Sequence, residues 1–336
     1  MFANEEVVAD AFAKQVSSLF DFGLFAAHNS SDRTTEILAH RGHNVEMEIA
    51  SSGYPQAETM SRLMRKAFEN GADYVFPLDF DEFLPFANKA ALEIAMRDSM
   101  GSELIFVKWR NIFSPQFELP IDKRLYNYVH EHSQIGKVIV SRNSWIRDPE
   151  LSLTQGNHNV VSTIALKKSQ AHFRLLHIPI QSRWQFAQKI FRGSVVAMRQ
   201  QKIDGDASGL HWVDMAENPF PSTSEMSTLA LDYGLSQCAE HTDLSIEEFE
   251  FSPSSGSIYF EGHRSSLETF AKYWIEYFDQ SQMGDDAGSI PKRELHLVRM
   301  EVVELQKLLL AKSLSFLGLL AIVKRVRAVT RKSKNN

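Results

Sequence analysis

Three carboxylates stand within four residues at Asp79, Asp81 and Glu82, and apolar residues close on them from both sides. Tyr74-Val75-Phe76-Pro77-Leu78 runs up to them, and Phe83-Leu84-Pro85-Phe86 follows. If the run before them is a strand, its side chains alternate faces. Carried through the strand's end, that period puts Asp79 and Asp81 on one side and Phe80 on the other, toward the core. Two carboxylates side by side repel unless a cation or a shared proton lies between them. Oxygen ligands on an extended turn suit Mg²⁺ or Mn²⁺, ions that take few protein ligands and leave positions for phosphates. Glu82, next in the chain, points away from the pair and is expected to orient the loop. His130 and His132 have metal-like spacing, but no cysteine or carboxylate beside them completes a zinc set. His158, in Gln155-Gly156-Asn157-His158-Asn159, belongs to a polar loop and reads either as a site residue or as a turn histidine.

The elements that must position these residues alternate between two periods. Val8, Phe12, Val16, Leu19 and Phe20 recur at helical spacing behind an acidic start at Glu5 and Glu6. Leu24 to Ala27 reads as a short buried strand, and His28-Asn29-Ser30-Ser31-Asp32 as a polar turn whose Asp32 caps a helix carrying Ile37 and Leu38. Val45, Met47 and Ile49 alternate as a strand, and Met60, Leu63, Met64, Ala67 and Phe68 mark a further helix. Asn88 is placed to cap a helix through Leu92 and Met96, and Glu103–Trp109, Gly136–Ser141 and His172–Ile178 read as strands. A long helix is expected from Ser182. Alternating strands and helices predict an α/β fold with a mostly parallel sheet flanked by helices. In such sheets ligands collect at the carboxyl ends of the strands, where Asn29, Ser31, Asp32, Asp79 and Asp81 fall.

The chain's 336 residues are ample for a core, and 43% hydrophobic with 23% charged residues is the balance of a globular protein rather than a disordered one. A net charge of −6 makes no case for nucleic acid as a partner. The lone Cys238 cannot form an internal disulfide, and no signal peptide is visible, so a cytoplasmic location is expected. Three segments are delineated: 1–203 as the α/β domain, 204–290 as a polar region to which no role is assigned, and 291–336 as a C-terminal helical extension with a basic tail. Leu308 to Val323 is almost wholly apolar and shorter than the roughly 20 residues a spanning helix needs. The basic residues after it predict peripheral contact of residues 308–334 with an anionic membrane, on the inner face of the cytoplasmic membrane.

Three blocks together carry a family resemblance. Asn4-Glu5-Glu6, His28 to Thr34, and Gly71 to Leu84 with its Asp-Phe-Asp-Glu-Phe core resemble, in order and spacing, the nucleotide-sugar domain of family 2 glycosyltransferases. The match is to the bacterial subgroup whose metal motif reads Asp-x-Asp-Glu-Phe, and it covers roughly residues 4 to 200. The resemblance implies a Rossmann-like fold of the GT-A type and transfer of a sugar from a nucleotide-diphosphate donor to a hydroxyl of a glycan or lipid-linked acceptor, as in polysaccharide biosynthesis. It also implies a divalent ion, Mn²⁺ or Mg²⁺, on the donor diphosphate, and inversion at the sugar. Asn4, Glu5, Asn29, Asp32, Gln56 and Asp79 are then expected at the nucleotide, and Asp79, Asp81 and His177 at the metal. His177 enters because Leu176-His177-Ile178-Pro179, just before the Ser182 helix, is similar to the subgroup's late histidine motif. The general base is not identified by the resemblance; Glu131, Asp148 and His158 are the candidates carried forward.

Two departures stand out. His28 occupies a position where the family usually has Asp. The family's first strand would precede Asn4, where Met1-Phe2-Ala3 reads as that strand's end; the fold is thus expected to lack its first strand, with a true start upstream of Met1. Two other readings remain. A haloacid-dehalogenase-type phosphatase also uses Asp-x-Asp after an apolar strand, but Glu82-Phe83 stands where its loop wants small residues. A non-catalytic relative acting as a binding or scaffold protein would fit His28 and the missing strand.

Overall fold

The computed structural model describes residues 1–49, 55–114, 125–129, 133–182, 185–186, 188–190, 192–194, 225–226, 228–230 and 246–250. The chain divides into two units, Met1–Gln185 with Pro221–Glu261, and Phe186–Phe220 with Gly262–Asn336. The second contributes few described residues, among them a helical turn in which the Ser194 hydroxyl donates to the Ile190 carbonyl at 2.8 Å. The expected segments at 204–290 and 291–336 lie almost wholly outside the described residues, as does the apolar run with its basic tail. Among the described residues no helix is long and apolar enough to cross a membrane.

The first unit opens with helix α1 (Glu6–Leu19), whose Val8, Ala9, Phe12, Ala13, Val16 and Leu19 are buried at helical spacing. Strand β1 (Phe25–His28) follows, then helix α2 (Thr34–His40), strand β2 (Val45–Ile49) and helix α3 (Gln56–Glu69). β1 and β2 pair in parallel. Before α1, Phe2 makes a parallel bridge to Ala27 on β1's other edge: its N–H reaches the Ala26 carbonyl at 2.9 Å, and its carbonyl accepts from His28 at 2.8 Å. Asp32 ties the two helix starts together. Its carboxylate accepts from the Glu6 N–H at 3.0 Å and the Thr34 N–H at 3.0 Å, satisfying a first-turn donor of α1 and of α2.

Past α3 the chain gives β3 (Tyr74–Val75) and β4 (Glu82–Phe83), then α4 (Lys89–Met96). Asn88 caps α4 by accepting from the Ala91 N–H at 3.0 Å. The ten-residue β5 (Leu104–Phe113) is the spine of the larger sheet, followed by β6 (Leu125–Val129), β7 (Gly136–Ser141), the short α5 (Arg142–Arg147), β8 (Ser152–Leu153), β9 (Val160–Val161), β10 (Lys168–Gln170), β11 (Leu175–His177) and β12 (Ile246–Glu250). One path through the sheet runs β12-β6-β5-β11-β4, with β7 and β10 also on β5 and β3 on β7. β10 and β11 run parallel to β5, whereas β6 and β7 are antiparallel to it, and β4 is antiparallel to β11.

The expectation of a mostly parallel sheet is therefore corrected: the fold is mixed α/β with a mixed sheet. The reason lies in the connections. Parallel neighbours need a crossover of a dozen or more residues, usually a helix. Among the described residues no helix stands between β5 and β7, and β6 and β7 both lie beside β5, antiparallel to it. The expected strand Tyr74–Leu78 is shorter than its apolar run, because β3 pairs with β7 only at Tyr74 and Val75.

Among the described residues, three apolar clusters hold this unit together. One joins α1, β1 and α2 to Phe80, Phe83 and Ile112. Another packs Met60, Leu63, Met64 and Phe68 of α3 against Leu104, Val138 and Val140 of the sheet. The third lies under α4. An apolar cavity of about 630 Å³ opens between α1 and α3, lined by Phe12, Leu24, Phe25, Leu63 and Phe80 among others. None of Asp79, Asp81 and His177 lines it; it borders the Phe80 side of the loop.

Candidate functional site

Phe80 is the nail that fixes the carboxylate loop. It is 3% exposed, stacked on Phe12 with ring centroids 4.4 Å apart, and in contact with Phe2 at 4.8 Å. Burying such a ring contributes about 1.5–3 kcal/mol, and each good aromatic pair roughly 0.5–1.5 kcal/mol more. With Phe80 turned inward, Asp79 on one side of it is partly exposed, whereas Asp81 on the other is itself buried, 8% exposed.

The floor beneath the loop comes from strand register. His177 lies opposite Glu82 across the β4–β11 pair and opposite Asn111 across the β11–β5 pair. Trp109 and Asn111, two residues apart on β5, share a face. On β7, Lys137 pairs with Val107, two residues before Trp109. The antiparallel and parallel pairings thus bring together polar side chains that are far apart in the chain. Gly136 permits the closest approach: a Cβ there would lie 2.0 Å from the Val107 carbonyl oxygen.

The contacts are specific. The His177 Nδ1–H donates to Asn111 Oδ1 at 2.6 Å, and the ring stacks on Trp109 with centroids 4.1 Å apart. The other ring nitrogen, Nε2, lies 3.6 Å from Asp81 Oδ2. An imidazole nitrogen and a carboxylate oxygen facing each other are donor types that a divalent ion takes. The Asp81 carbonyl accepts from the Ile178 N–H at 2.8 Å, which fixes the loop to β11.

Glu82 is fully buried, and both of its oxygens accept. Oε2 takes the Asp79 N–H at 2.8 Å and Oε1 takes Trp109 Nε1–H at 2.8 Å. Burial pushes its carboxyl up to about 8 against the pull of Lys137. The Lys137 ammonium, 2% exposed, donates to Asp79 Oδ2 at 2.5 Å and to the Gly156 carbonyl at 2.7 Å, and lies 3.3 Å from Glu82 Oε1. Burial pulls Lys137 down, and the carboxylates of Asp79 and Glu82 more than reverse this, holding it above the usual lysine range. Gln56 completes the frame: its Nε2 donates to Asp79 Oδ1 at 3.0 Å while its Oε1 accepts from the Gly156 N–H at 3.0 Å.

The residues expected at a nucleotide and a metal fall into two groups. Asp79, Asp81, Gln56 and His177 meet around Lys137 and Trp109. Asn4, Glu5, Asn29 and Asp32 meet at the carboxyl end of β1, where their polar groups build the turn. Asn4 adopts a left-handed backbone with φ 58°, and its Oδ1 accepts from the Ser31 N–H at 2.8 Å and the Asp32 N–H at 3.2 Å. The Glu5 N–H donates to the Thr34 hydroxyl at 2.9 Å. Asn29, at φ 49°, donates from its side-chain amide to His28 Nε2 at 3.2 Å.

Of the candidate bases, Glu131 lies outside the described residues. Asp148 accepts from the Ser162 hydroxyl at 2.6 Å and the Thr163 N–H at 2.8 Å, and so holds a loop. Those bonds, the Ser162 hydroxyl first, keep its carboxyl below the usual range. His158 does reach the site, edge-on to Trp109 at 5.3 Å. Its Nδ1–H donates to the Gly136 carbonyl at 2.6 Å, and its Nε2 lies so close to Gly156 that a Cβ there would come within 2.4 Å. Burial holds the imidazole below its usual range. The ring is committed to packing the Gly156 turn.

A divalent ion fits this donor set in part. Among the described residues no three His, Cys, Asp or Glu side chains are arranged as a metal site. Asp81 and His177 converge as an oxygen and nitrogen pair, and two protein donors suffice for an ion that carries a diphosphate and water on its other positions. Asp79, the third expected ligand, is turned to Lys137 and Gln56. Sequence reasoning missed Lys137, Trp109, Asn111 and Gly156. The signal for Lys137 was present as a lone charge inside Gly136-Lys137-Val138-Ile139-Val140, since a buried lysine must be paired. Compared with models of known protein families and with the sequences of curated proteins, the chain matches none.

Proposed function

We propose that this protein is a glycosyltransferase that moves a sugar from a nucleotide-diphosphate donor to a hydroxyl of a glycan or lipid-linked acceptor. The observation that carries the reading is the approach of His177 Nε2 to Asp81 Oδ2 at 3.6 Å, with Nδ1 already committed to Asn111. This pair would hold Mn²⁺ or Mg²⁺. Bound there with a diphosphate, such an ion supplies Lewis-acid stabilisation of the leaving group. Asn111 holds the imidazole tautomer, and the Trp109 ring holds its plane, so the donor pair is oriented before any ligand arrives. Glu82 fixes the backbone at Asp79, and Phe80 fixes the loop to the core. Asn4, Glu5, Asn29 and Asp32 shape the turn after β1, where the nucleoside is expected by the order of the three sequence blocks. The GT-A class, the cytoplasmic setting and peripheral membrane contact belong to the same reading.

A non-catalytic relative is the second reading, and one observation favours it: both Asp79 oxygens are engaged by the protein's own Gln56 and Lys137. One experiment separates the two. Purified protein is incubated with a panel of nucleotide sugars and Mn²⁺, with release of nucleotide diphosphate as the readout. The enzyme reading expects slow hydrolysis even without acceptor, lost in His177→Ala and Asp81→Asn. No turnover of any donor, with nucleotide diphosphates bound all the same, would favour the binding protein.

A further inference from the structure

The buried cation beneath the carboxylate loop belongs to none of the expected roles. Lys137 is buried, 2% exposed, and is linked to the loop at two points, Asp79 at 2.5 Å and Glu82 at 3.3 Å. Its third partner, the Gly156 carbonyl at 2.7 Å, ties the same ammonium to the turn that carries His158. Gln56 bonds to the same two places, Asp79 and Gly156. The arrangement is a cage around one carboxylate, with a positive charge at its back.

We propose that Lys137 is the resident cation of this site: it holds Asp79 in the place a divalent ion would otherwise take, and confines that ion to Asp81 and His177. The inference rests on the Asp81–His177 reading, and it concerns ion binding rather than glycosyl transfer. Three physical points support it. Carboxylates this close need a cation between or beside them to coexist, and Lys137 supplies one without any ion from solution. A carboxylate that shares its charge with a buried ammonium is a poorer donor to a second cation. And an ammonium a few ångströms behind the loop repels an incoming divalent ion through a partly desolvated path, where charges act more strongly than in water. Lys137 is thus a positioning residue that sets how tightly, and through how many ligands, the site takes a metal.

The test is a titration with Mn²⁺ alone, followed by the electron paramagnetic resonance signal of the free ion, on the full chain and four variants. Lys137→Met is expected to bind Mn²⁺ at least about tenfold more tightly than the wild type, because Asp79 is released as a third donor and the repulsion is removed. Asp79→Asn in the wild-type background is expected to change affinity by less than about threefold, since Asp79 is not a ligand while Lys137 holds it. In the Lys137→Met background the same change is expected to abolish the gain, a coupling that a merely structural role for Lys137 would not produce. Lys137→Arg, which keeps the charge, is expected to retain wild-type affinity.

Asp79→Asn weakening Mn²⁺ binding more than tenfold in the wild-type background would overturn the proposal, and so would Lys137→Met failing to tighten it. Should Lys137→Met alone not fold, the charge-matched double variant Asp79→Asn, Lys137→Met removes both members of the pair. Its affinity is then expected within about threefold of the wild type, and a larger loss refutes the idea. Nucleotide-sugar hydrolysis plays no part in the readout. Its absence counts against the glycosyltransferase reading only, whereas failure of Mn²⁺ to bind wild type and variants alike counts against this one.

Discussion

Phe80 offers the sharpest test of how the core holds the loop. It is 3% exposed and touches Phe2, Phe12 and Phe25, with ring centroids at 4.8, 4.4 and 6.0 Å. Truncation to alanine removes the ring and leaves a cavity, which costs about 3–5 kcal/mol for a buried phenylalanine. That is a large part of the roughly 5–15 kcal/mol that holds a typical domain folded. Phe80→Leu keeps most of the volume and loses the aromatic pairs, so it is expected to cost about 1–2 kcal/mol. A matched control is Phe68→Leu, in a different cluster: Phe68 is fully buried and stacks on Trp145 at 5.6 Å, away from the carboxylates.

Urea unfolding measures stability, and Mn²⁺ titration measures the site. Both leucine variants are expected to lower the urea midpoint by similar amounts. Only Phe80→Leu is expected to weaken Mn²⁺ binding, because only Phe80 sits between Asp79 and Asp81. Equal effects of the two variants on Mn²⁺ affinity would refute the anchoring argument. So would a loss below about 1 kcal/mol in Phe80→Ala.

Two further outcomes follow from side chains around the same frame. Asn111→Ala removes the acceptor of His177 Nδ1–H, and is expected to weaken Mn²⁺ binding about 10–100-fold, as loss of an outer-shell partner does; unchanged affinity in the titration would contradict that role. Asp148 is held below the usual carboxylate range by the Ser162 hydroxyl and by Thr163, so its contribution to stability is present above the unfolded value of 3.8 and is lost as pH falls through the lower folded value. Asp148→Asn is therefore expected to be less stable than the wild type near neutral pH and to converge on it in acid, measured as urea midpoints from pH 2.5 to 7. Parallel curves would show that Asp148 carries no such linkage.

Much of the first unit was legible because its elements are local. α1, α2 and α3 announce themselves by apolar spacing, and Asp32 and Asn88 by capping chemistry that acts over two or three residues. The alternation through Asp79-Phe80-Asp81 was likewise a local matter, and the structure turns Phe80 into the core. What could not be read was pairing. Whether β6 and β7 return antiparallel beside β5 depends on contacts between distant segments, so the predicted parallel sheet gave way to a mixed one. The same limit hid the floor of the site. Asn111, Trp109 and Lys137 reach His177, Glu82 and Asp79 only through strand register, which no single stretch of sequence specifies. Asn4, Asn29 and Asp32 were recognisable as polar turn residues, but their mutual hydrogen bonds needed the turn after β1 to be closed against the start of α1.

The central claim is that Asp81 and His177 form a donor pair for a divalent ion. Electron spin-echo spectroscopy on the Mn²⁺-loaded protein addresses it most directly, since an imidazole nitrogen bound to Mn²⁺ modulates the echo. A single-imidazole modulation is expected in the wild type, retained in His158→Gln and absent in His177→Leu. A bound Mn²⁺ with no imidazole coupling, or a coupling that survives loss of His177, would contradict it.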